Sequence, residues 1–156
     1  GRWIEAAIAS MMQSNQSAMD ILRQHQVTAC TDISGFGLLG HLLEMVQASW
    51  VSAAVQLDLI PLLPGVESLM AAGIYSSLYA ENVRRGQPAI RHADAIAPFT
   101  RSRILFDPQT SGPLLAAVPA DQSAACLSAL QAIGYTASLI GQVCPKTDEA
   151  PITVLA

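Results

Sequence analysis

The segment ACTDISGFGLLGH, residues 29–41, decides how this chain folds. The run from Val27 to Thr31 is apolar or β-branched, which predicts a short buried strand that ends at Asp32. The glycines that follow allow a tight turn, since glycine adopts backbone angles that other residues avoid. Leucines and a valine then recur at helical spacing as far as Ala48. The segment therefore predicts a strand, a glycine turn and a helix in succession.

The sequence on either side continues an alternation of helices and strands. Two helices with a break near Asn15 are predicted before the segment. After it, the patterns predict strands over 51–59, 104–106, 114–118, 137–143 and 152–155, and helices over 66–72 and 121–133. Residues 74–98 follow no clear period. Alternating strands and helices indicate an α/β arrangement of two or three layers.

The composition is that of a folded domain. Of 156 residues, 51% are hydrophobic and 13% are charged, which excludes intrinsic disorder. This length predicts one domain over residues 1–156. No apolar run reaches the roughly 18 residues of a membrane span, so no membrane partner is expected. The net charge of −4 argues against a nucleic-acid partner.

The three cysteines, Cys30, Cys126 and Cys144, predict neither a disulfide framework nor a zinc site. Their number is odd, and no two of them have the C-x-x-C spacing. This usage favours a reducing compartment, and we expect a cytoplasmic protein.

The glycine turn after Asp32 is a candidate site for a metal ion and phosphate. Free N–H groups at a helix start attract anions, and an adjacent carboxylate can hold Mg²⁺ together with substrate phosphates. The alternative is that Asp32 or Ser34 simply caps the helix. The turn is not a Walker A loop, and the glycines at 35, 37 and 40 lack the acidic partner of a dinucleotide site.

The segment DPQTSG, residues 107–112, repeats this design of an aspartate followed by hydroxyl groups and glycine. The hydroxyls of Thr110 and Ser111 could contact phosphate, although an Asp-Pro pair also starts ordinary turns. His41 is expected to be structural. No complete catalytic apparatus is visible, and one carboxylate rarely suffices for Mg²⁺–nucleotide chemistry. Further ligands must then come from outside the chain.

These motifs resemble the C-terminal part of the selenophosphate synthetase (selenide, water dikinase) family. The resemblance runs from about residue 3 to residue 145. Residues 29–41 are similar to the family's TD-(V/I)-(T/S)-GFGLLGH segment, 60–65 to VP-x-LPG, 107–112 to DPQTSGG, and 140–143 to IGEV. Two departures are Pro113, where many members have a second glycine, and Gln142, where glutamate is usual.

The resemblance implies a fold and a missing partner. The family belongs to a superfamily of ATP-using enzymes that includes aminoimidazole ribonucleotide (AIR) synthetase. The C-terminal domain of these enzymes is an α+β unit in which a mixed β-sheet lies between two layers of helices (α/β/α). This arrangement is partly like a ferredoxin fold. An N-terminal domain, expected upstream of residue 1, carries most ATP and metal ligands and mediates homodimer formation.

The resemblance also implies site residues and a reaction. Asp32 matches the family's Mg²⁺ ligand, while Gly35 and Gly37 match turn formers that shape the cofactor site. No catalytic residue is expected in this chain, which alone should be inactive. The intact enzyme converts selenide, ATP and water to selenophosphate, AMP and phosphate. The alternatives are a domain of a sister enzyme, such as a purine-pathway synthetase, or a stand-alone binding or regulatory module.

Overall fold

The computed structural model describes all residues from 1 to 156. The helices are α1 (Arg2–Met12), α2 (Gln16–Gln24), α3 (Gly37–Ala48), α4 (Val66–Ala71), α5 (Tyr79–Gly86), α6 (Ala93–Ile96) and α7 (Ser123–Ala132). The strands are β1 (Ala29–Asp32), β2 (Val51–Gln56), β3 (Ile90–Arg91), β4 (Leu114–Ala117), β5 (Gly141–Pro145) and β6 (Ile152–Leu155). Short 3₁₀ turns cover Leu57–Leu59, Gln87–Ala89 and Thr100–Phe106. No helix is both long and apolar enough to span a bilayer.

Strands β1 and β4 form a two-stranded antiparallel ribbon. In its register Ala29 lies opposite Ala117, and Asp32 lies opposite Leu114. Because the strands are antiparallel, the chain leaves β1 at the same end of the ribbon at which it enters β4. The two sequence motifs flank these ends, so the ribbon brings them together.

The other four strands form a mixed sheet in the order β3-β6-β2-β5. Strand β6 is parallel to both β2 and β3, whereas β5 is antiparallel to β2. The predicted mixture of helices with a mixed sheet is therefore confirmed.

Helix α3 is fixed by the apolar core. Leu38, Leu39, Leu42 and Val46 are buried in a cluster of 18 residues that also includes side chains of β2 and β6 and of the 3₁₀ turn Thr100–Phe106. The most deeply buried side chains of the cluster are Leu39, Leu57, Leu105 and Ile152. Burying one such side chain contributes about 1.5–3 kcal/mol. The core therefore holds the start of α3, at the glycine turn, in a fixed place.

The strand predicted over residues 104–106 is wrong. Ile104, Leu105 and Phe106 lie in a 3₁₀ turn, and all three side chains are buried. Their backbone pairs locally, as when the N–H of Asp107 donates to the Ile104 carbonyl at 3.2 Å. A run of three apolar residues has no period that separates a strand from a helical turn.

Two other strands are shorter than predicted. Strand β2 stops at Gln56 and continues into the 3₁₀ turn Leu57–Leu59. Strand β5 starts only at Gly141 and runs on to Pro145, whereas side-chain hydrogen bonds hold part of the chain before it. The Ser138 hydroxyl, for example, donates to the Leu59 carbonyl at 2.7 Å.

Candidate functional site

The two motifs form one continuous site at the end of the β1–β4 ribbon. We call residues 32–37 the Asp32 turn and residues 107–113 the Asp107 loop. The N–H of Ile33 donates to the Pro113 carbonyl at 2.9 Å, and the N–H of Gln109 donates to the Ser34 carbonyl at 3.0 Å. Backbone hydrogen bonds therefore join the turn to the loop.

Two glycines allow this close approach. A Cβ atom at Gly112 would lie 2.0 Å from the Ile33 carbonyl oxygen. Gly37 has a φ of +68°, and a Cβ there would lie 3.0 Å from the Asp107 carbonyl oxygen. A side chain at either position would force the segments apart. Gly35 differs, because no atom lies within 4 Å of its Cβ position.

Asp32 presents a free carboxylate. It is the last residue of β1 and is exposed to solvent. Its backbone carbonyl accepts a bond from the Thr31 hydroxyl at 3.3 Å, but its carboxylate takes part in no hydrogen bond or ion pair of the chain. The N-cap of α3 is Phe36, and no side chain caps this helix. The alternative that Asp32 or Ser34 caps α3 is therefore wrong.

Ser34 is held by both its backbone and its side chain. Its carbonyl accepts bonds from the N–H groups of Gly37, at 3.1 Å, and Gln109. Its hydroxyl oxygen lies 3.1 Å from Nε2 of His41. His41 is buried, and its Nδ1 lies 3.3 Å from a Glu44 carboxylate oxygen, without hydrogen-bond alignment. A carboxylate beside Nδ1 favours a proton on that nitrogen, so we infer that Nε2 accepts a hydrogen bond from Ser34.

Asp107 is tied into the protein, in contrast to Asp32. The Gln109 side-chain amide donates to an Asp107 carboxylate oxygen at 3.1 Å. Burial raises the pKa of the Asp107 carboxyl, and the bond from Gln109 partly opposes that rise. Burial also raises the pKa of Tyr79, with Tyr75 and then Asp107 adding to the effect. Of the two motif aspartates, only Asp32 has a carboxylate that no group of the chain engages.

The remaining polar residues of the Asp107 loop face solvent. Thr110 and Ser111 are exposed, and Ser111 adopts a φ of +49°. Neither hydroxyl makes a hydrogen bond with the chain. Pro113 contacts Ile33 through its carbonyl, so this contact does not need the N–H that proline lacks.

Two asparagines outside the predicted motifs hold the site in place. The side-chain amide of Asn82, on α5, donates to the carbonyls of Gly35 at 2.9 Å and Phe106 at 3.0 Å. The Asn15 amide donates to the Gly112 carbonyl at 3.0 Å. The sequence pattern predicts only a helix break near Asn15. Asn82 lies in the stretch 74–98, where no periodic pattern gave a signal.

Five arginines that could pair with a phosphate are engaged with other groups of the chain. Arg101 donates to the carbonyls of Leu57 at 2.8 Å and Ile60 at 2.7 Å. The others pair with acidic, aromatic or backbone groups: Arg84 and Arg85 with Glu81, Arg91 with Glu149, and Arg103 with Tyr75 and the Met70 carbonyl. No three histidine, cysteine, aspartate or glutamate side chains converge as a metal site. The site therefore offers one free carboxylate beside a helix N-terminus.

Comparison with known families agrees with this arrangement. The model of the family described as "AIR synthase related protein, C-terminal domain" matches residues 5–153, nearly the whole chain. The chain belongs to this family. The matched range contains both the Asp32 turn and the Asp107 loop, so the site described above is part of the AIR synthase related domain.

The relatives of this AIR synthase related domain include several proteins named selenide, water dikinase. The relative from Myxococcus xanthus is 37% identical over 139 residues, covering 88% of this chain and 39% of its own length. That from Geobacter metallireducens is 34% identical over 151 residues, covering 96% and 43%. That from Sulfurovum sp. is 36% identical over 146 residues, covering 92% and 41%. The chain spans about two fifths of the length of these relatives.

Proposed function

We propose that this chain is the C-terminal domain of a selenophosphate synthetase. The parent enzyme would convert selenide, ATP and water to selenophosphate, AMP and phosphate. The observation that carries the proposal is the pairing of the Asp32 turn with the Asp107 loop in a chain similar to selenide, water dikinases. Each motif alone is short, but their contact through Ser34 and Gln109 makes a single site.

The proposed role of Asp32 is to hold Mg²⁺ on the polyphosphate. Its carboxylate is exposed and unpaired, and oxygen ligands of this kind are those that Mg²⁺ prefers. The donor set fits a shared ion, since Mg²⁺ usually takes one or two carboxylates and completes its shell with phosphates and water. When bound, the ion would neutralise charge that develops on the phosphoryl oxygens. Gly37 would place the start of α3 beside the phosphates, and the Gly35 carbonyl would anchor the turn.

The remaining ligands are proposed to come from an upstream ATP-binding domain. Asp32 supplies a single carboxylate to the shell of the ion, and no three histidine, cysteine, aspartate or glutamate side chains of the chain converge as a metal site. We therefore propose that ATP and selenide bind to the parent enzyme, a cytoplasmic homodimer, and that the isolated chain does not hydrolyse ATP. Asp32 would then be a supplementary ligand in a composite site.

Product analysis of the parent enzyme tests this function. We expect AMP and phosphate to form only when selenide is present, and Asp32→Asn to lower turnover by about 10²-fold or more. Asp121→Asn, which changes an exposed carboxylate in the turn before α7, is the matched control and should leave turnover unchanged. AMP formation at the same rate with and without selenide would favour a sister enzyme of the superfamily. Full activity of Asp32→Asn would refute the metal role.

A further inference from the structure

We propose that Asn82 is a positioning residue that holds the Asp32 turn against the Asp107 loop. The inference rests on the proposed role of Asp32 as a Mg²⁺ ligand. It assigns to Asn82 the task of fixing the turn that carries this ligand.

The contacts of the Asn82 amide reach both halves of the site. Its Nδ2 donates to the Gly35 carbonyl at 2.9 Å and to the Phe106 carbonyl at 3.0 Å. Gly35 lies inside the Asp32 turn, and Phe106 immediately precedes the Asp107 loop. One side chain therefore ties together two segments that are distant in sequence, using both protons of its amide.

Asn82 is itself firmly placed. Its side chain is buried, being 7% exposed. Helix α5, which carries it, packs closely on the core, because a Cβ atom at Gly86 would lie 2.8 Å from Leu39 and 3.3 Å from the Phe106 ring. The Tyr79 ring also meets the Phe106 ring edge-on, with centroids 6.3 Å apart. The amide therefore extends from a rigid element, which is what precise positioning requires.

The Cβ side of Gly35 adds no packing to this hydrogen bond. Apart from the neighbouring residues, no atom lies within 4 Å of the Gly35 Cβ position. The bond from Asn82 holds the peptide between the Asp32 strand and the start of α3. Losing that bond would free the middle of the turn while leaving the apolar core intact. This predicts an effect on metal binding beyond the effect on stability.

The test compares Asn82→Ala with the core variant Val46→Ala in the parent enzyme. Val46 is a buried residue on the same helix as the turn but near its other end, so its loss destabilises without touching the site. We expect Asn82→Ala to raise the Mg²⁺ concentration for half-maximal selenide-dependent AMP formation by about tenfold, as for loss of a residue that orients a metal ligand. Val46→Ala should lower the melting temperature but leave that concentration unchanged. Equal shifts in the two variants would overturn the positioning role.

Amide hydrogen exchange on this chain separates the inference from the proposed function. Asn82→Ala should speed exchange at the N–H groups of Gly37 and Gln109, both bonded to Ser34, by about tenfold more than Val46→Ala does. Unchanged exchange would overturn the inference even if the parent makes selenophosphate. Absence of selenide-dependent AMP from the wild-type parent would instead refute the proposed function. Asn82→Asp, which keeps the side-chain shape but replaces the donor, is the second variant and should behave like Asn82→Ala.

Discussion

The backbone N–H of Gln109 donates a 3.0 Å hydrogen bond to the carbonyl of Ser34. This bond joins the turn after β1 to the loop before β4. The two aspartates on either side of it differ in their contacts. The Asp107 carboxylate accepts a hydrogen bond from the Gln109 side chain, whereas the Asp32 carboxylate is unpaired and exposed to solvent. Backbone hydrogen bonds therefore fix the shape of the site, and the Asp32 carboxylate is the one that remains available to a ligand.

A side chain at Gly112 should break this arrangement. In Gly112→Ala the new Cβ would lie 2.0 Å from the Ile33 carbonyl, so the backbone must shift. We expect a loss of about 3 kcal/mol in the free energy of unfolding, at the upper end of the usual cost of overpacking. Urea unfolding measures it. Gly35→Ala is the matched control, since its Cβ meets open space, and should change stability by less than about 1 kcal/mol. Equal losses would contradict the close approach at Gly112.

The Ser34–His41 contact predicts a defined histidine tautomer. With Glu44 beside Nδ1, the proton should reside on that nitrogen, and Nε2 should accept from the Ser34 hydroxyl. Ser34→Ala would leave a buried acceptor unpaired and cost about 1–3 kcal/mol. The ¹⁵N chemical shifts of the His41 ring report the tautomer directly. A proton on Nε2, or a Ser34→Ala variant as stable as the wild type, would show this reading to be wrong.

Asp107 predicts a specific pH dependence of stability. Burial raises the pKa of this carboxyl above its ordinary value of 3.8, so the folded state disfavours the ionised form. Its contribution to stability is full below pH 3.8 and is lost as the pH rises through the raised pKa. Asparagine does not ionise, so Asp107→Asn does not lose stability in this way as the pH rises. The free energy of unfolding of the variant relative to the wild type should therefore increase from acidic to neutral pH. Urea unfolding between about pH 3 and pH 7 measures it. A relative stability that falls over this range would contradict the burial of Asp107.

Local signals in the sequence predicted the unit that carries the site. The apolar run before Asp32, the glycines and the leucine period placed a strand, a turn and a helix close to their observed bounds. These features act over a few residues, so they can be read without tertiary structure. The sequence leaves open whether Asp32 binds a metal ion or caps the helix, and only the structure excludes capping.

Contacts between distant segments could not be predicted from these patterns. The partnership of Ser34 with Gln109 depends on the antiparallel pairing of β1 with β4, which nothing near either residue specifies. Asn82 owes its place to the packing of α5 on the core, in a stretch without periodicity. The apolar run at 104–106 failed for a related reason, since burial alone does not choose between a strand and a 3₁₀ turn.

Calorimetric titration of Mg²⁺ into the parent enzyme, with a non-hydrolysable ATP analogue bound, tests the central claim most directly. Wild type, Asp32→Asn and Asp121→Asn would be compared at one pH and ionic strength. We predict that Asp32→Asn weakens Mg²⁺ binding by at least about tenfold, because a carboxylate that binds the ion directly is lost. Asp121→Asn should bind Mg²⁺ as the wild type does. Identical isotherms for all three proteins would contradict the claim that Asp32 holds the metal.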